Sequence, residues 1–233
     1  MERLDKRLAN TGKWSRREAR DLIRGGRVTV GGEPCRIPEQ KVTETDPIAV
    51  DGAVLPPGGP VYLMLHKPAG VVSSTDEPGA KTVLDLLGEE YQNIGLFPAG
   101  RLDKDTEGLL LLTNDGPLAH RLLAPKSHVD KVYYVEVDGV LDEADGAAIR
   151  AGVTLADGYE CLPAELELLS GSTARITLRE GKYHQVKRML ASRGKPVTYL
   201  KRVRFGPLEL DETLPKGGWR ALTGEEMQAL FRQ

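Results

Sequence analysis

The chain of 233 residues carries 32 basic and 34 acidic side chains, and 40% of it is hydrophobic. This balance excludes a disordered chain, and at roughly 100–200 residues per domain the length predicts one large domain or two unequal ones. No apolar run reaches the roughly 18 residues of a membrane span, the N-terminus lacks the apolar core of a signal peptide, and two cysteines are too few for a disulfide framework. We therefore expect a soluble, cytoplasmic protein.

The near-neutral net charge hides two basic segments. Residues 1–41 hold 11 Lys and Arg against 6 Asp and Glu, and residues 179–204 hold 9 against 1. Basic segments on a near-neutral body favour a protein that binds phosphate groups at chosen places. Two solvated charged faces would give the same counts, so charge alone leaves both interpretations open.

The N-terminal segment predicts two helices followed by short strands. A first helix is predicted over residues 3–11, and the capping-box spacing of Ser15 and Glu18 predicts a second that ends near Arg24, before two glycines. A hairpin over residues 27–37 and a strand at 48–50 follow. The second helix has an apolar arc that should pack inward and a basic arc made of Arg16, Arg17, Arg20 and Arg24.

Residues 56–60, Pro-Pro-Gly-Gly-Pro, disfavour both helix and strand, so we place a linker there. The predicted domains are residues 1–54 and 61–233, joined by residues 55–60. In the second domain, strands are predicted near residues 61–65, 109–112, 131–137, 163–169, 173–179 and 196–203. Helices are predicted over 82–87, 117–123, 143–150, 183–193 and 223–231. Because these elements do not alternate regularly, we expect an α+β fold with a mixed, largely antiparallel sheet.

The first domain resembles an S4 RNA-binding domain over about residues 2–50. The resemblance lies in the order and spacing of Arg3-Leu4-Asp5-Lys6, Ser15-Arg16, Ala19-Arg20, Leu22-Ile23 and Val28-Thr29-Val30-Gly31-Gly32. The planar forks of the helix arginines suit backbone phosphates and docking on folded RNA by shape. A solvated, arginine-rich helix is the alternative.

The most informative segment of the second domain is Gly100-Arg101-Leu102-Asp103, which precedes an apolar strand. Turns with Asp are common, so this segment alone does not define a site. Together with residues 65–70, 131–133 and 180–190, however, it occurs in the order found in RNA pseudouridine synthases. With the S4 domain in front, essentially the whole chain resembles the branch of that family that modifies ribosomal RNA. Residues 73–76 and 183–188 are most similar to enzymes of the small (16S) subunit, and the large subunit stays open as an alternative.

The resemblance implies an isomerisation that needs no cofactor or metal. It implies that Asp103 is the catalytic carboxylate, that Lys187 is its cationic partner, and that Tyr133 stacks on the flipped uracil. It also implies that Arg101 holds the target loop. An Asp is ionised at neutral pH without elaborate tuning, and a buried carboxylate needs a cationic neighbour, so the chemistry agrees. Asp105, two residues further on, is expected to cap the loop, with a place near the site as the alternative.

The helix predicted over residues 183–193 has an apolar face and a basic face. The basic face holds His184 and Arg188 beside Lys187, and we expect these two to contact RNA; a solvated face is the alternative. Because neighbouring strand residues point to opposite faces, Tyr134 is expected in the core if Tyr133 faces the site. The four histidines lack ligand spacing, so no metal site is predicted.

The expected partner is ribosomal RNA, and the protein is expected to be a monomer. A non-catalytic S4-type RNA-binding or assembly protein is an alternative from another class. A hydrolase with paired carboxylates fits less well, because Asp103 and Asp105 alone do not define a two-acid site.

Overall fold

The computed structural model describes residues 1–11, 13–55, 58–91 and 94–232, and of residues 90 and 125 only the backbone. The chain divides into two compact units, Met1–Val61 with Leu84–Phe97, and Tyr62–Val83 with Pro98–Gln233. The domain ranges 1–54 and 61–233 with the linker 55–60 stay predictions, and Pro56 and Pro57 of that linker lie outside the described residues.

The first unit packs two helices against short strands. Its elements are β1 (Glu2–Arg3), α1 (Leu4–Ala9), α2 (Arg16–Arg24), β2 (Val28–Val30), β3 (Glu33–Cys35), β4 (Lys41–Val42), β5 (Ile48–Val50), β6 (Ala53–Val54) and the 3₁₀ turns Leu84–Leu86 and Glu89–Tyr91. An antiparallel sheet has the order β3-β2-β5-β6, and β1 pairs with β4. Leu4 and Leu8 of α1 and Ile23 of α2 are buried with Val28 and Ile48 in one apolar core.

Helix α2 confirms the prediction for residues 15–24. The Ser15 Oγ atom accepts the Glu18 N–H at 3.2 Å, and the Glu18 carboxylate accepts the Ser15 N–H at 2.7 Å, which completes the capping box. Ala19 and Ile23 of the apolar arc are fully buried. The chain leaves the helix through Gly26 at a φ of 74°, where a side chain would be strained.

The second unit is built on one mixed sheet. Its strands are β7 (Tyr62–Lys67), β9 (Glu107–Thr113), β10 (Lys131–Val137), β11 (Glu165–Ser170), β12 (Thr173–Leu178), β13 (Val197–Phe205), β14 (Leu208–Glu209) and β15 (Trp219–Ala221), and β8 (Phe97–Pro98) lies between β7 and β9 in the chain. The order is β11-β12-β10-β13-β9-β7-β15, with β14 beside β13. Of these pairings, β13 with β9 is parallel and the others are antiparallel. The predicted α+β class with a largely antiparallel sheet is confirmed.

The helices of this unit are α3 (Gly116–Leu123), α4 (Glu143–Ala151), α5 (Gln185–Ser192) and α6 (Gly224–Phe231), with a 3₁₀ turn at Pro125–Ser127. Val186 and Met189 of α5 are buried with Val135 of β10 and Leu200 of β13. Because side chains alternate along a strand, Tyr133 lies on the same sheet face as Val135, and therefore on the face that α5 covers. No helix in the described part of the chain has both the length and the apolar content to cross a bilayer.

Two of the predicted helices differ from the structure, one in its first residue and one in whether it forms at all. The helix predicted at 183–193 begins at Gln185, because His184 has left-handed backbone angles (φ 49°, ψ 35°) and its side chain makes no capping hydrogen bond. The helix predicted from Thr82 to Leu87 is wrong: Thr82 forms a parallel bridge with Val72, and only the single 3₁₀ turn Leu84–Leu86 follows.

Candidate active site

Asp103 lies in the loop before β9 and meets two residues that are more than 80 positions away in the chain. Its Oδ2 atom is 3.1 Å from the Lys187 Nζ atom, and its Oδ1 atom is 3.6 Å from the His184 Nε2 atom. The side chain of Asp103 stays 25% exposed. The structure thus brings Asp103, Lys187 and His184 together, with one carboxylate edge open to solvent.

Lys187 carries the positive charge of this cluster. Its Nζ atom also donates to the Asp105 Oδ1 atom at 2.5 Å. Partial burial opposes the ammonium form, but the hydrogen bonds to Asp105 and Asp103 raise the pKa of Lys187 above its usual value. The same hydrogen bond, against a smaller burial effect, lowers the pKa of Asp105. Asp105, which we expected as a loop cap, is therefore an ion-pair partner of Lys187.

The loop that carries Asp103 is held by two buried side chains, Lys67 and Ser73, for which the sequence predicted no role. The Lys67 Nζ atom donates to the carbonyl oxygens of Lys104 (3.2 Å), Thr106 (2.9 Å) and Pro68 (3.0 Å). The Ser73 Oγ atom donates to the Leu102 carbonyl at 2.9 Å and accepts the Leu102 N–H at 3.1 Å. The backbone on both sides of Asp103 is therefore held in place.

Burial lowers the pKa of Lys67 to about 8, although the nearby carboxylates of Asp105, Asp103 and Glu107 oppose this. The side chain is fully buried. Three carbonyl oxygens satisfy the hydrogen-bonding needs of the buried Lys67 ammonium. Lys67 is therefore stable in this buried position only while the loop keeps its conformation.

Tyr133 is half-buried and faces a buried arginine. Arg202 of β13 lies opposite Tyr133 of β10, is 1% exposed, and donates from Nε to the Leu109 carbonyl at 2.8 Å. Burial lowers the pKa of Arg202, and the neighbouring Tyr133 side chain opposes that effect. The backbones of β9 and β13 approach closely here. A Cβ atom on Gly108 would lie only 2.2 Å from the Arg202 carbonyl oxygen, so this position requires glycine.

Tyr134 lies on the other sheet face. It is half-buried there, its hydroxyl donates to Glu136 at 3.1 Å, and its ring meets Tyr199 edge-on at 6.1 Å. We expected Tyr134 in the apolar core, and it is found in these polar surroundings instead. Of the two tyrosines, Tyr133 shares the face of α5.

Two exposed side chains flank the Asp103 cluster along the chain. Arg101 is exposed and, within the described residues, forms no ion pair or side-chain hydrogen bond. The Tyr183 ring is 76% exposed and stacks on the His184 ring, with centroids 3.8 Å apart and an interplanar angle of 17°. Tyr183 was not predicted as a site residue, and its only signal in the sequence is its place beside His184 and Gln185.

Arg188 does not join the cluster. Its guanidinium pairs with Asp157 at 2.6 Å. The basic face predicted for α5 is therefore divided, with Lys187 directed to Asp103 and Asp105 and Arg188 directed to Asp157. His184 belongs to the loop before α5 and reaches Asp103 from there.

In the first unit, the predicted basic arc of α2 is organised by a buried carboxylate. Asp5 is fully buried and accepts hydrogen bonds from Arg3 (2.9 and 3.1 Å), Arg16 (3.2 Å) and Arg20 (3.0 Å). Burial alone would raise the pKa of Asp5, but the arginines lower it to about 2. The side chains of Arg16 and Arg20 remain 45% and 43% exposed.

Arg17 and Arg24 complete the arc. Both are exposed, and neither has an ion pair among the residues that the structure describes. In that same part of the chain, no group of three His, Cys, Asp or Glu side chains is arranged to hold a metal ion. The predicted site residues thus fall into two separate groups, Asp103 with its bases and the arginines of α2 around Asp5.

The chain is similar to known proteins over its full length. Residues 61–192 match the family model described as RNA pseudouridylate synthase, and residues 2–48 match the S4 domain. The chain is 45% identical to an uncharacterized RNA pseudouridine synthase of Bacillus subtilis, over 98% of either chain. It is 44% identical to ribosomal small subunit pseudouridine synthase A of Pseudomonas aeruginosa, over 97% of this chain and 98% of that one. A crystal structure of a pseudouridylate synthase superposes with a TM-score of 0.70 and 36% identity, covering 99% of this chain and all of that one.

Proposed function

Because the chain belongs to the RNA pseudouridine synthases and carries an S4 domain, we propose that it converts a uridine of small-subunit ribosomal RNA to pseudouridine with Asp103 as the catalytic carboxylate. The observation that carries this proposal is the Asp103 carboxylate itself, part-exposed and 3.1 Å from the Lys187 ammonium. The family membership makes the chain an RNA-modifying enzyme, and the named roles of residues are our proposal.

The reaction needs a carboxylate at the junction of base and ribose. The bond between ribose C1′ and uracil N1 breaks, the base rotates, and C1′ joins C5. C5 then loses its proton and N1 gains one, so substrate and product are isomers and no electrons are exchanged with a third molecule. Asp103 acts at this junction, either as a nucleophile or by stabilising the positive charge that develops as the bond opens. Lys187 stabilises the negative charge of Asp103 between turnovers.

Tyr133 is proposed to stack on the uracil after it leaves the RNA helix. Removing a base from its stack costs a few kcal/mol, and an aromatic platform returns roughly 1–3 kcal/mol. The position of Tyr133 on the α5 face supports this role. Arg101, exposed and two residues before Asp103, is proposed to hold the target loop of the RNA.

The basic arc of α2 is proposed to bind the RNA backbone. Arg17 and Arg24 are free to contact phosphates, and Arg16 and Arg20 present exposed edges while Asp5 fixes their positions. His184 and Arg188 are proposed as further RNA contacts; the closeness of His184 to Asp103 supports a contact with the target nucleotide or its neighbour.

The small subunit is proposed because relatives with over 40% identity and nearly full coverage are named for it. Modification of large-subunit RNA is the second candidate. We also propose that the protein acts in the cytoplasm, since relatives named for the small ribosomal subunit are bacterial proteins, and that it acts as a monomer.

The test uses purified protein and short transcripts of both ribosomal RNAs, with pseudouridine detected by chemical mapping. We expect product in small-subunit RNA for the wild type, no product for Asp103→Asn, and product for the matched variant Asp105→Asn, which removes the more exposed carboxylate beside the same lysine. Product only in large-subunit RNA would show that this RNA, and not small-subunit RNA, is the substrate. Activity retained in Asp103→Asn would refute the proposed role of Asp103.

A further inference from the structure

His184 contributes an imidazole to the Asp103 cluster. Its Nε2 atom is 3.6 Å from the Asp103 Oδ1 atom, whereas the Lys187 ammonium occupies the other carboxylate oxygen, Oδ2, at 3.1 Å. The His184 side chain is 37% exposed and the Asp103 side chain is 25% exposed. A nucleotide that reaches the Asp103 carboxylate can therefore contact the imidazole as well.

The loop before α5 holds the His184 ring in place. The Tyr183 ring covers one face of it, with centroids 3.8 Å apart. The buried Gln185 side chain braces the loop, because its oxygen accepts the Lys182 N–H at 2.9 Å and its amide donates to Glu180. His184 itself has a φ of 49°, and such left-handed angles are uncommon outside glycine and cluster at functional sites. The imidazole is thus held beside the carboxylate by its surroundings.

The other ionisable groups of the cluster are poor proton carriers. Partial burial opposes the ammonium form of Lys187, but hydrogen bonds to Asp105 and Asp103 raise its pKa, so this group keeps its proton. The hydrogen bond from Lys187 lowers the pKa of Asp105, so this carboxylate is a weak base. An imidazole accepts and releases protons near neutral pH, and an adjacent carboxylate stabilises its protonated form. Beside Asp103, His184 is therefore the group suited to carry a proton.

The proposed reaction requires one proton to leave the base and one to return to it. Once C1′ is bound to C5, the C5–H bond breaks and its electrons form the C5–C6 double bond. The electrons of the C6–N1 double bond move to N1, which takes up a proton. C5 and N1 both flank C6, so a single group beside the base can serve both atoms. Asp103 is a free carboxylate again at this stage and can stabilise an imidazolium.

We propose that His184 is a second catalytic residue, whose imidazole accepts the proton that leaves C5 and whose imidazolium returns a proton to N1. Asp103 stabilises the imidazolium between the two transfers. One proton is taken up and one is released, so no further reactant is needed. This inference rests on the proposed function, because it takes a uridine at Asp103 as the substrate.

The test compares RNA that carries uridine at the target position with RNA that carries 5-fluorouridine there. Fluorine replaces the hydrogen on C5, so the base can be detached and rejoined but no proton can leave C5. His184→Asn removes the imidazole and introduces a residue that tolerates left-handed angles. In single-turnover assays, we expect the variant to convert uridine at least roughly a hundredfold more slowly than the wild type. We expect it to rearrange 5-fluorouridine at the wild-type rate, as measured by chromatography of the digested RNA.

Deuterium on C5 of the target uridine gives a second readout. Because loss of the C5 hydrogen becomes the slow step in His184→Asn, deuteration should slow this variant more than it slows the wild type. The matched control is His128→Asn, since His128 is an exposed histidine that also has left-handed angles (φ 47°) and forms no ion pair among the described residues. This control should match the wild type on both RNAs.

Two results would overturn the proposal. An unchanged rate of His184→Asn on uridine would mean that another base, such as the Tyr133 phenol, takes the proton from C5. Equal losses on uridine and 5-fluorouridine, without a larger isotope effect, would mean that His184 only positions Asp103 or the RNA. Both results leave product formation by the wild type intact, whereas a wild type that forms no pseudouridine in either ribosomal transcript contradicts the proposed function.

Discussion

Asp5 in the first unit and Asp103 in the second are both surrounded by bases, yet they differ in what is left open. Asp5 is fully buried, and guanidinium groups of three arginines occupy both of its oxygens. Asp103 is 25% exposed, has one ammonium at 3.1 Å, and has an imidazole nitrogen only at 3.6 Å. An ionised carboxylate has about four acceptor positions, so Asp5 is saturated and Asp103 is not. The comparison indicates that the first carboxylate organises structure and that the second is available to a substrate.

Apart from the loss of Asp103 itself, the largest expected effect comes from removing the cation beside it. Lys187→Met should lower kcat by roughly a hundredfold to a thousandfold, because it leaves Asp103 and Asp105 as neighbouring carboxylates without a cation. Lys187→Arg should recover part of the rate, since it restores the charge with a different geometry. Single-turnover pseudouridine formation measures both. An unchanged kcat in Lys187→Met would mean that Asp103 does not need this partner.

The next effect concerns stability. Asp5→Asn should lower the free energy of unfolding by about 2–3 kcal/mol, because it leaves the arginines of the first unit with an amide that accepts on one oxygen only. The matched control is Asp51→Asn in the same unit, whose ion pair with Arg27 is half exposed, and its change should stay below about 1 kcal/mol. If denaturant titrations give the same change in unfolding free energy for both variants, the burial of Asp5 does not add to its contribution to stability.

A pH titration sharpens the same point. The pKa of Asp5 is about 2 in the folded protein and 3.8 in an unperturbed chain, so the folded state favours the ionised form. Its contribution, up to about 2 kcal/mol, is present above pH 4 and is lost as the pH falls from about 4 to 2. The difference in unfolding free energy between wild type and Asp5→Asn should therefore shrink over that interval. A difference that is constant from pH 6 to 2 would contradict the pKa assignment.

The smallest expected effect concerns an exposed ring near the open carboxylate. Tyr183→Ala should weaken RNA binding by about 1–2 kcal/mol, since an exposed aromatic ring offers a stacking surface to an unpaired base. Tyr183→Phe keeps the ring and should bind as the wild type does. If both variants bind equally well in fluorescence anisotropy, Tyr183 does not contact RNA.

Helices and strands were predictable where the sequence carries clear signals for their bounds or for their residue type. Helix α2 has a capping box at its start and two glycines at its end, and β10 is rich in valine and tyrosine, which favour strands, so both were predicted closely. The start of α5 was missed, because Tyr183 and His184 carry no capping signal and the left-handed angles of His184 depend on its surroundings. The segment after Thr82 was missed because a bridge to Val72, ten residues away, prevails over a local cap.

The candidate site was predictable only through family resemblance. No periodicity connects Asp103 with Lys187, because four strands lie between them in the sequence. The clamp on Asp5 was missed for the same reason: the arginines of α2 were interpreted as a phosphate-binding face, while their acceptor lies in the preceding helix. Lys67 was visible as a motif residue, but its three carbonyl acceptors depend on tertiary structure.

The most direct measurement compares Asp103→Asn and Asp5→Asn in parallel, following pseudouridine yield in one turnover and the unfolding transition of each variant. We predict that Asp103→Asn loses at least roughly a thousandfold in rate while its free energy of unfolding stays within about 0.5 kcal/mol of the wild type. We predict that Asp5→Asn is destabilised but still forms product under conditions where it is folded. Product formation by Asp103→Asn at the wild-type rate would contradict the account.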